Sequence, residues 1–205
     1  MPETNMGNAS GAFPPGSVGH SLLMMRGVWH DHIELYHLSG APLPHDQWSG
    51  APGASPFDNL VYIDFDGVRY TQTNVTFRGR PLHVRSFRGE LREGVLHFDL
   101  LGPQDPGHIG VSGGVGILMF CASRVTDAMS RYAEPDFLQI MPTGMRLRTT
   151  ILYRDGIAVR TLTAHGMRIA PLADRRVAFD PRGAEGEVHP TPGETHVFAK
   201  KDDTP

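Results

Sequence analysis

Three of the eleven histidines, His30, His32 and His37, lie within one stretch of the chain, residues 25–40. His30 and His32 are two positions apart, so on a β-strand both imidazoles would project from the same face. Imidazoles arranged in this way act as general acids or bases near neutral pH, or as metal ligands. Asp31 lies between them and could orient a histidine as a general base. The spacing suits acid–base catalysis; it matches neither cupin nor zinc-hydrolase motifs, so we expect no metal or other cofactor.

Later segments supply hydrogen-bonding and cationic side chains. Tyr70, Gln72 and Asn74 alternate along one predicted strand and would share one face, which lies either in a ligand cavity or in solvent. Arg148 could hold a carboxylate, phenolate or enolate if it points inward. The last long predicted strand carries His165. The candidate catalytic residues are therefore His30, Asp31, His32 and His165.

The direction in which the first strand faces decides whether its histidines can meet a ligand. Asp31 and Ile33 share the parity of Trp29, whereas His30 and His32 have the opposite parity. If Trp29 points inward, the two histidines lie on the outer surface. If Trp29 points outward, they line the interior, and the sequence leaves both alternatives open.

The composition fits one globular domain. The chain has 205 residues, of which 40% are hydrophobic and 20% charged, and its formal net charge is −3. A weakly acidic chain offers no basic face to nucleic acid, and no apolar run approaches the roughly 20 residues that span a bilayer. Cys121, the single cysteine, excludes an internal disulfide, and the first 19 residues lack the features of a signal peptide. We expect a cytoplasmic protein without nucleic-acid or membrane partners.

Short strands joined by tight turns make up most of the sequence. The clearest hairpin surrounds Asp66-Gly67, a dipeptide that favours a type I′ turn. About nine strands follow one another, and helical character is confined to residues 125–132. This pattern predicts an all-β, antiparallel up-and-down meander of about 8–10 strands, which closes into a barrel because closure removes exposed edges. Residues 1–19 should form a flexible tail, 20–182 the barrel and 183–205 a polar extension.

Several short motifs resemble the calycin superfamily, which includes lipocalins and fatty-acid-binding proteins. Gly27-x-Trp29, at the start of the first strand of an antiparallel meander, is typical of that superfamily. More narrowly, an ordered set of motifs is similar to a family of uncharacterised bacterial calycin-like proteins. These motifs are Arg26-Gly-Val-Trp29, Tyr70-x-Gln72-x-Asn74, Leu96-x-Phe98-Asp99, Arg148-Thr149, Asp155-Gly156 and Arg160-Thr161-Leu162. The resemblance implies a calycin-like barrel with Trp29 inside one end.

Two positions depart from the pattern of that family. His30-Asp31 follows Gly-Val-Trp where the family has Glu-Gly, and His165 stands where the family has an acid after Arg-Thr-Leu. The first and last main strands are neighbours in a closed meander. If His30 and His165 lie side by side there, they form the centre of the candidate catalytic site.

We expect a barrel that binds a hydrophobic or aromatic small molecule. The candidate ligand-binding residues are Trp29, Tyr70, Gln72, Asn74 and Arg148. One hypothesis is a cofactor-independent isomerase, cyclase or lyase; another is a non-enzymatic carrier or sensor, and a metal- or haem-binding barrel is the third. An inward histidine or carboxylate beside an apolar cavity favours catalysis, and a uniformly apolar cavity favours carriage. Homodimerisation through the outer barrel face is a further hypothesis.

Overall fold

The strands of this chain form a closed, ten-stranded antiparallel barrel, accompanied by one short helix. The computed structural model describes residues 13–43, 56–77, 82–100, 107–122, 132–133, 135–154, 157–170 and 195–198. In chain order the elements are α1 (Val18–Met25), β1 (Gly27–Tyr36), β2 (Phe57–Phe65), β3 (Arg69–Phe77), β4 (Leu82–Arg92), β5 (Val95–Phe98), β6 (His108–Gly114), β7 (Ile117–Ala122), β8 (Tyr132–Ala133), β9 (Asp136–Ile140), β10 (Met145–Arg154), β11 (Ile157–Ala170) and β12 (Thr195–Phe198). The predicted fold class is confirmed.

Pairing between the first and last long strands closes the barrel. β1 to β7 pair in sequence, β7 pairs with β9, β9 with β10, β10 with β11, and β11 returns to β1. The two remaining strands lie outside this ring, β8 beside β10 and β12 beside β4. Closure satisfies the backbone groups that an open edge would expose.

The burial pattern of β1 shows which face is the inner one. Trp29, Asp31 and Ile33 are buried, whereas His30 and His32 are exposed. Residues that pair across strands share a face, so the inner face can be followed around the ring. Of the two alternatives that the sequence left open, the structure has the one in which Trp29 points inward.

A hydrophobic cluster and α1 close one end of the barrel. Within the cluster Trp29, Phe65 and Tyr70 are fully buried, and Leu22 and Met25 of α1 pack against them. A second cluster lies toward the opposite end. It contains Ile33, Leu35, Leu43, Phe57 and Ala164. Between the two clusters the inner wall becomes polar.

The helix α1 was not expected, because sequence pattern alone gives helical character to residues 125–132. The sequence pattern therefore missed the helix at residues 18–25. Residues 125–131, where it predicted helical character, lie outside the described part of the chain. The Ser17 side chain caps α1 by accepting a hydrogen bond from the His20 N–H at 3.2 Å. A helix of eight residues is too short to show a clear 3.6-residue period in the sequence. Burial against the barrel therefore stabilises the helical conformation of α1.

The hairpin at Asp66 is confirmed, with a different turn from the one expected. Positive φ occurs at Gly67, and the Asp66 carboxylate accepts hydrogen bonds from the Val68 and Arg69 N–H groups at 2.9 and 2.7 Å. The turn is not type I′, because only Gly67, and not Asp66, has a positive φ. The Asp66 carboxylate stabilises it instead by binding the backbone of its own turn.

The predicted division into tail, barrel and extension stays a prediction. Residues 1–12 of the proposed tail and all but β12 of the proposed extension lie outside the described residues. Phe13 packs on the barrel, with its ring centre 5.8 Å from that of Phe65. Within the described ranges, no helix has the length and apolar character needed to cross a membrane.

Candidate ligand-binding site

The three candidate catalytic histidines gather on the outer surface of the barrel. His32, rather than His30, pairs directly with His165 across β1 and β11; His30 lies on the same face and pairs with Met167, so the predicted direct pair of His30 and His165 is wrong. Asp58 of β2 joins them: its Oδ1 lies 3.3 Å from His30 Nε2 and 3.1 Å from His32 Nδ1. The side chains of His30, His32 and Asp58 are about half exposed. In the part of the chain that the structure describes, no group of three or more His, Cys, Asp or Glu side chains is arranged to hold a metal ion.

Asp31, the fourth candidate catalytic residue, points the other way, into the barrel. Arg146 of β10 donates two hydrogen bonds to its carboxylate, from Nε at 3.0 Å and from Nη2 at 2.6 Å. Both side chains are only 4% exposed. Gly166 of β11 makes room for this pair, because a Cβ atom there would lie 2.6 Å from Arg146 Cγ. The sequence therefore places a bidentate ion pair across three strands in the interior.

The polar strand face of Tyr70, Gln72 and Asn74 also lines the interior. The Tyr70 hydroxyl donates to Gln72 Oε1 at 2.5 Å, and Gln72 Nε2 donates to Asn74 Oδ1 at 2.9 Å. Tyr70 is fully buried, whereas the two amides keep some solvent access. The three side chains form one hydrogen-bonded row from the closed end toward the centre of the barrel.

Arg148 faces inward two residues along β10 from Arg146. Its Nη2 lies 3.1 and 2.9 Å from the two carboxylate oxygens of Asp136, and the Thr150 hydroxyl donates to the same carboxylate. The Arg148 and Asp136 side chains are 24% and 16% exposed. This second interior ion pair is therefore more accessible than the first.

The charged side chains of the interior act together on the pKa of the Tyr70 hydroxyl. Burial raises the pKa of Tyr70 above its ordinary value; the charges of Arg146 and Arg148 lower it by less, and the Asp136 carboxylate raises it. All three charges therefore act on the same phenol. Tyr70 stays protonated at physiological pH and can only donate or accept neutral hydrogen bonds.

Aromatic rings form the wall beside the polar row. Tyr70 and Phe98 meet edge to face with ring centres 5.8 Å apart, and Phe98 and Phe120 do so at 5.6 Å. Phe98 and Phe120 face inward and are nevertheless only half-buried, as are Gln72 and Asn74. The aromatic wall and the amides therefore lie on a part of the inner face that solvent reaches.

Asn59 presents an unused hydrogen-bonding atom to the interior. It pairs with Asp31 across β1 and β2 and is 6% exposed. Its Oδ1 is buried and has no hydrogen-bond partner among the described residues. Leaving such an acceptor unmatched costs about 1–3 kcal/mol, so Asn59 is suited to a donor from a bound molecule.

Trp29 serves the fold at the closed end. Its ring is fully buried, its Nε1 donates to the Met25 carbonyl at 2.7 Å, and the guanidinium groups of Arg146 and Arg168 each lie 4.7 Å from the ring centre. Burial lowers the pKa of Arg168, and the charge of Arg146 lowers it further. Trp29 joins the Asp31–Arg146 pair to the hydrophobic cluster; its assignment as a ligand contact stays a prediction.

Sequence reasoning missed Arg146, Asp136 and Asn59. Arg146 has the same parity as Arg148, so once one of them is placed inside, the other follows. Asp136 of β9 pairs with Thr150 of β10, and no sequence motif includes it. Asn59 could have been found from its parity with the apolar residues Phe57 and Val61.

Comparisons by sequence give no assignment: neither a family model nor a curated protein matches the chain. Its fold is similar to that of a protein of unknown function from the DUF3598 family of Nostoc punctiforme. That structure aligns with a TM-score of 0.55 and 13% identity over 72% of this chain and 49% of the other, so this chain spans about half of its length.

A second similar structure is the S-type phycobiliprotein lyase CPES of Guillardia theta. It aligns with a TM-score of 0.54 and 11% identity over 75% of this chain and 93% of that protein. Identities this low show the fold alone, and the narrower family resemblance drawn from the motifs stays a prediction. What the two comparisons show is a shared fold, which in the described part of this chain is a closed antiparallel barrel.

Proposed function

We propose that this protein binds, inside its barrel, an aromatic or apolar small molecule that carries an anionic group such as a carboxylate. One observation carries the proposal: the inner wall has an excess of positive charge. Among the described inward positions the arginines are Arg85, Arg146, Arg148, Arg160 and Arg168, and the carboxylates are Asp31 and Asp136. Five arginines against two carboxylates give these inward positions a net charge of +3 (5 − 2), opposite in sign to the −3 of the whole chain.

Arg85 is the inner arginine best suited to meet an incoming anion. It lies on β4 opposite Asn74, is exposed although its strand position faces inward, and packs over the Phe87 ring at 4.9 Å. A guanidinium beside an aromatic ring and an amide can hold a carboxylate through charge-assisted hydrogen bonds. The aromatic wall of Tyr70 and Phe98 would take the apolar body of the ligand.

A matched pair of fluorescent dyes tests the proposal. 8-Anilinonaphthalene-1-sulfonate carries an aromatic body and an anionic group, and N-phenyl-1-naphthylamine has the same kind of body without the charge. We expect the sulfonate to bind more tightly. Arg85→Gln should weaken sulfonate binding by about tenfold or more, because a hydrogen bond to a charged group contributes about 1.5–3 kcal/mol.

Arg88→Gln provides the control, since Arg88 is exposed three residues along the same strand but faces outward. Equal affinities for the two dyes, or equal losses in the two variants, would contradict the proposal. Because one structural neighbour is a phycobiliprotein lyase, biliverdin, a conjugated dicarboxylate, belongs in the ligand panel.

Cofactor-independent isomerase, cyclase or lyase chemistry is the second candidate. An inward carboxylate, Asp136, lies beside the protonated Tyr70 and the aromatic wall, and such a pair can supply a general base and a hydrogen-bond donor. Once a ligand is known, Asp136→Asn should abolish its conversion while Arg85→Gln mainly raises KM. A ligand returned unchanged by the unmodified protein would leave a carrier or sensor as the function.

A further inference from the structure

Strand β10 reverses the usual polarity of a barrel strand. Its inward residues include Arg146 and Arg148, and its outward residues include Met145, Leu147 and Ile151. A strand that faces water normally carries its charges outside. On this side of the barrel the outer surface is therefore the more apolar one.

The outward faces of β7, β9, β10 and β11 continue this surface, and we call them together the apolar wall. Two cross-strand rows define it: one runs from Met119 through Phe137 to Thr149, and the other from Ile117 through Gln139 to Leu147. Methionines 145 and 167 form a further direct pair. Met119, Phe137 and Met167 are 44%, 45% and 60% exposed.

The apolar wall carries no Asp, Glu, Lys or Arg. Of its twelve outward positions within residues 117–119, 137–139, 145–151 and 161–167, all of them described, seven are apolar and five are polar: Gln139, Thr149, Thr161, Thr163 and, at the border with β1, His165. The opposite wall differs, because Asp58, Asp64, Arg88 and Glu90 project outward from β2 and β4. An exposed apolar surface of this continuity marks an interaction site.

We propose that the apolar wall is the contact surface of a homodimer, its occupant being the same wall of a second copy. Two copies each carry a net charge of −3 and repel one another, and the wall is the face on which that repulsion is least. A charged protein or an anionic membrane would be recognised by complementary charges, which the wall lacks. An uncharged surface fits itself, as the two-fold contact of a symmetric dimer requires.

The size of the wall predicts a weak dimer. Outward residues repeat about every 6.8 Å along a strand, and strands lie about 4.8 Å apart, so about a dozen positions cover on the order of 400 Å² of flat sheet. A standard interface buries about 800 Å² of accessible surface per partner. We therefore expect dissociation at micromolar rather than nanomolar concentration.

Sedimentation velocity of the full chain across a concentration series tests this proposal. We expect the unmodified protein to shift from monomer to dimer over about 1 µM to 1 mM. Phe137→Glu and Met167→Glu, which place like charges on different strands of the wall, should each weaken the dimer by about tenfold or more. Val68→Glu, at a residue that is 55% exposed in the β2–β3 turn, should leave it unchanged.

All three substitutions are at exposed positions, so we expect each variant to fold. Circular dichroism checks this, so that a change in dimerisation is not mistaken for unfolding. A protein that stays monomeric throughout the series, or a dimer that survives both wall substitutions, would overturn the proposal. Flotation with phosphatidylcholine vesicles completes the test. Monomeric protein that binds neutral vesicles, and loses this binding in Phe137→Glu, would assign the wall to a lipid surface instead of a second copy.

Discussion

The buried pair of Asp31 and Arg146 makes a sharp prediction about stability. Asp31→Asn keeps the size of the side chain but removes its charge, which leaves the Arg146 guanidinium without a counter-ion in a site where both side chains are 4% exposed. Removing one partner of a buried ion pair costs about 3–5 kcal/mol, because the remaining charge is desolvated and uncompensated. The free energy of unfolding should fall by that amount.

A second ion pair on the same barrel provides the matched comparison. Arg26, the residue between α1 and β1, and Asp64 of β2 form it with an Nη2–Oδ1 distance of 3.2 Å, but their side chains are 44% and 43% exposed. Water and salt screen such a pair, so Asp64→Asn should cost about 0.2–1 kcal/mol. Asp31→Leu with Arg146→Met removes both charges and should be less destabilising than Asp31→Asn alone.

Urea unfolding followed by circular dichroism measures these differences. With a slope of about 2 kcal/mol per molar urea, a loss of 3–5 kcal/mol lowers the midpoint by roughly 2 M. Asp31→Asn would refute the reasoning if its midpoint equalled that of Asp64→Asn. A double substitution that costs as much as Asp31→Asn would also refute it, because the loss would then come from packing rather than charge.

Three further predictions concern the interior and the outer histidines. Gly166→Ala should lower the urea midpoint too, because its Cβ would collide with the Asp31–Arg146 pair. Burial raises the pKa of Tyr70, so in an ultraviolet titration it should ionise above the ordinary range of tyrosine; its contribution to stability is complete below about pH 10 and is lost as pH rises beyond that, and Tyr70→Phe should reduce the late-titrating signal by one tyrosine. Gln replacements of His30, His32 and His165 should leave dye binding inside the barrel unchanged, whereas their predicted catalytic role requires a change in turnover, so an assay of both quantities separates the two.

The strands of this fold could be predicted from the sequence because turns and alternation are local signals. Asp66-Gly67 marked the first hairpin, and the Gly27-x-Trp29 motif marked the strand that closes the ring. The helix α1 could not be predicted in the same way. Its stability depends on Leu22 and Met25 packing on strands that are distant in the chain, a contact that no local pattern records.

The candidate site was harder to predict, since alternation gives two faces without saying which is inside. Tyr70, Gln72 and Asn74 share the inner face, and so does Asp31, but the histidines on either side of Asp31 share the outer one. The general expectation that arginines face outward misplaces β10. Arg146 and Arg148 are stable inside because Asp31 and Asp136, from other strands, neutralise them. Such partners become visible only when the strand pairing is known.

The position of Trp29 together with the pairing register settles the orientation of all these residues. Trp29 is held inside by the hydrophobic cluster, so Asp31 is inside as well, and its cross-strand partner Gly166 must be inside too. Gly166 pairs with Arg146 on β10, which carries the inner face onward to Arg148. One buried tryptophan therefore fixes Arg146 and Arg148 on the inner face, where we propose that a ligand binds, and Met145, Leu147 and Met167 on the outer face. The proposed ligand site and the proposed dimer contact are the two faces of one strand register, and a substitution that shifted the pairing of β10 by one residue should abolish both.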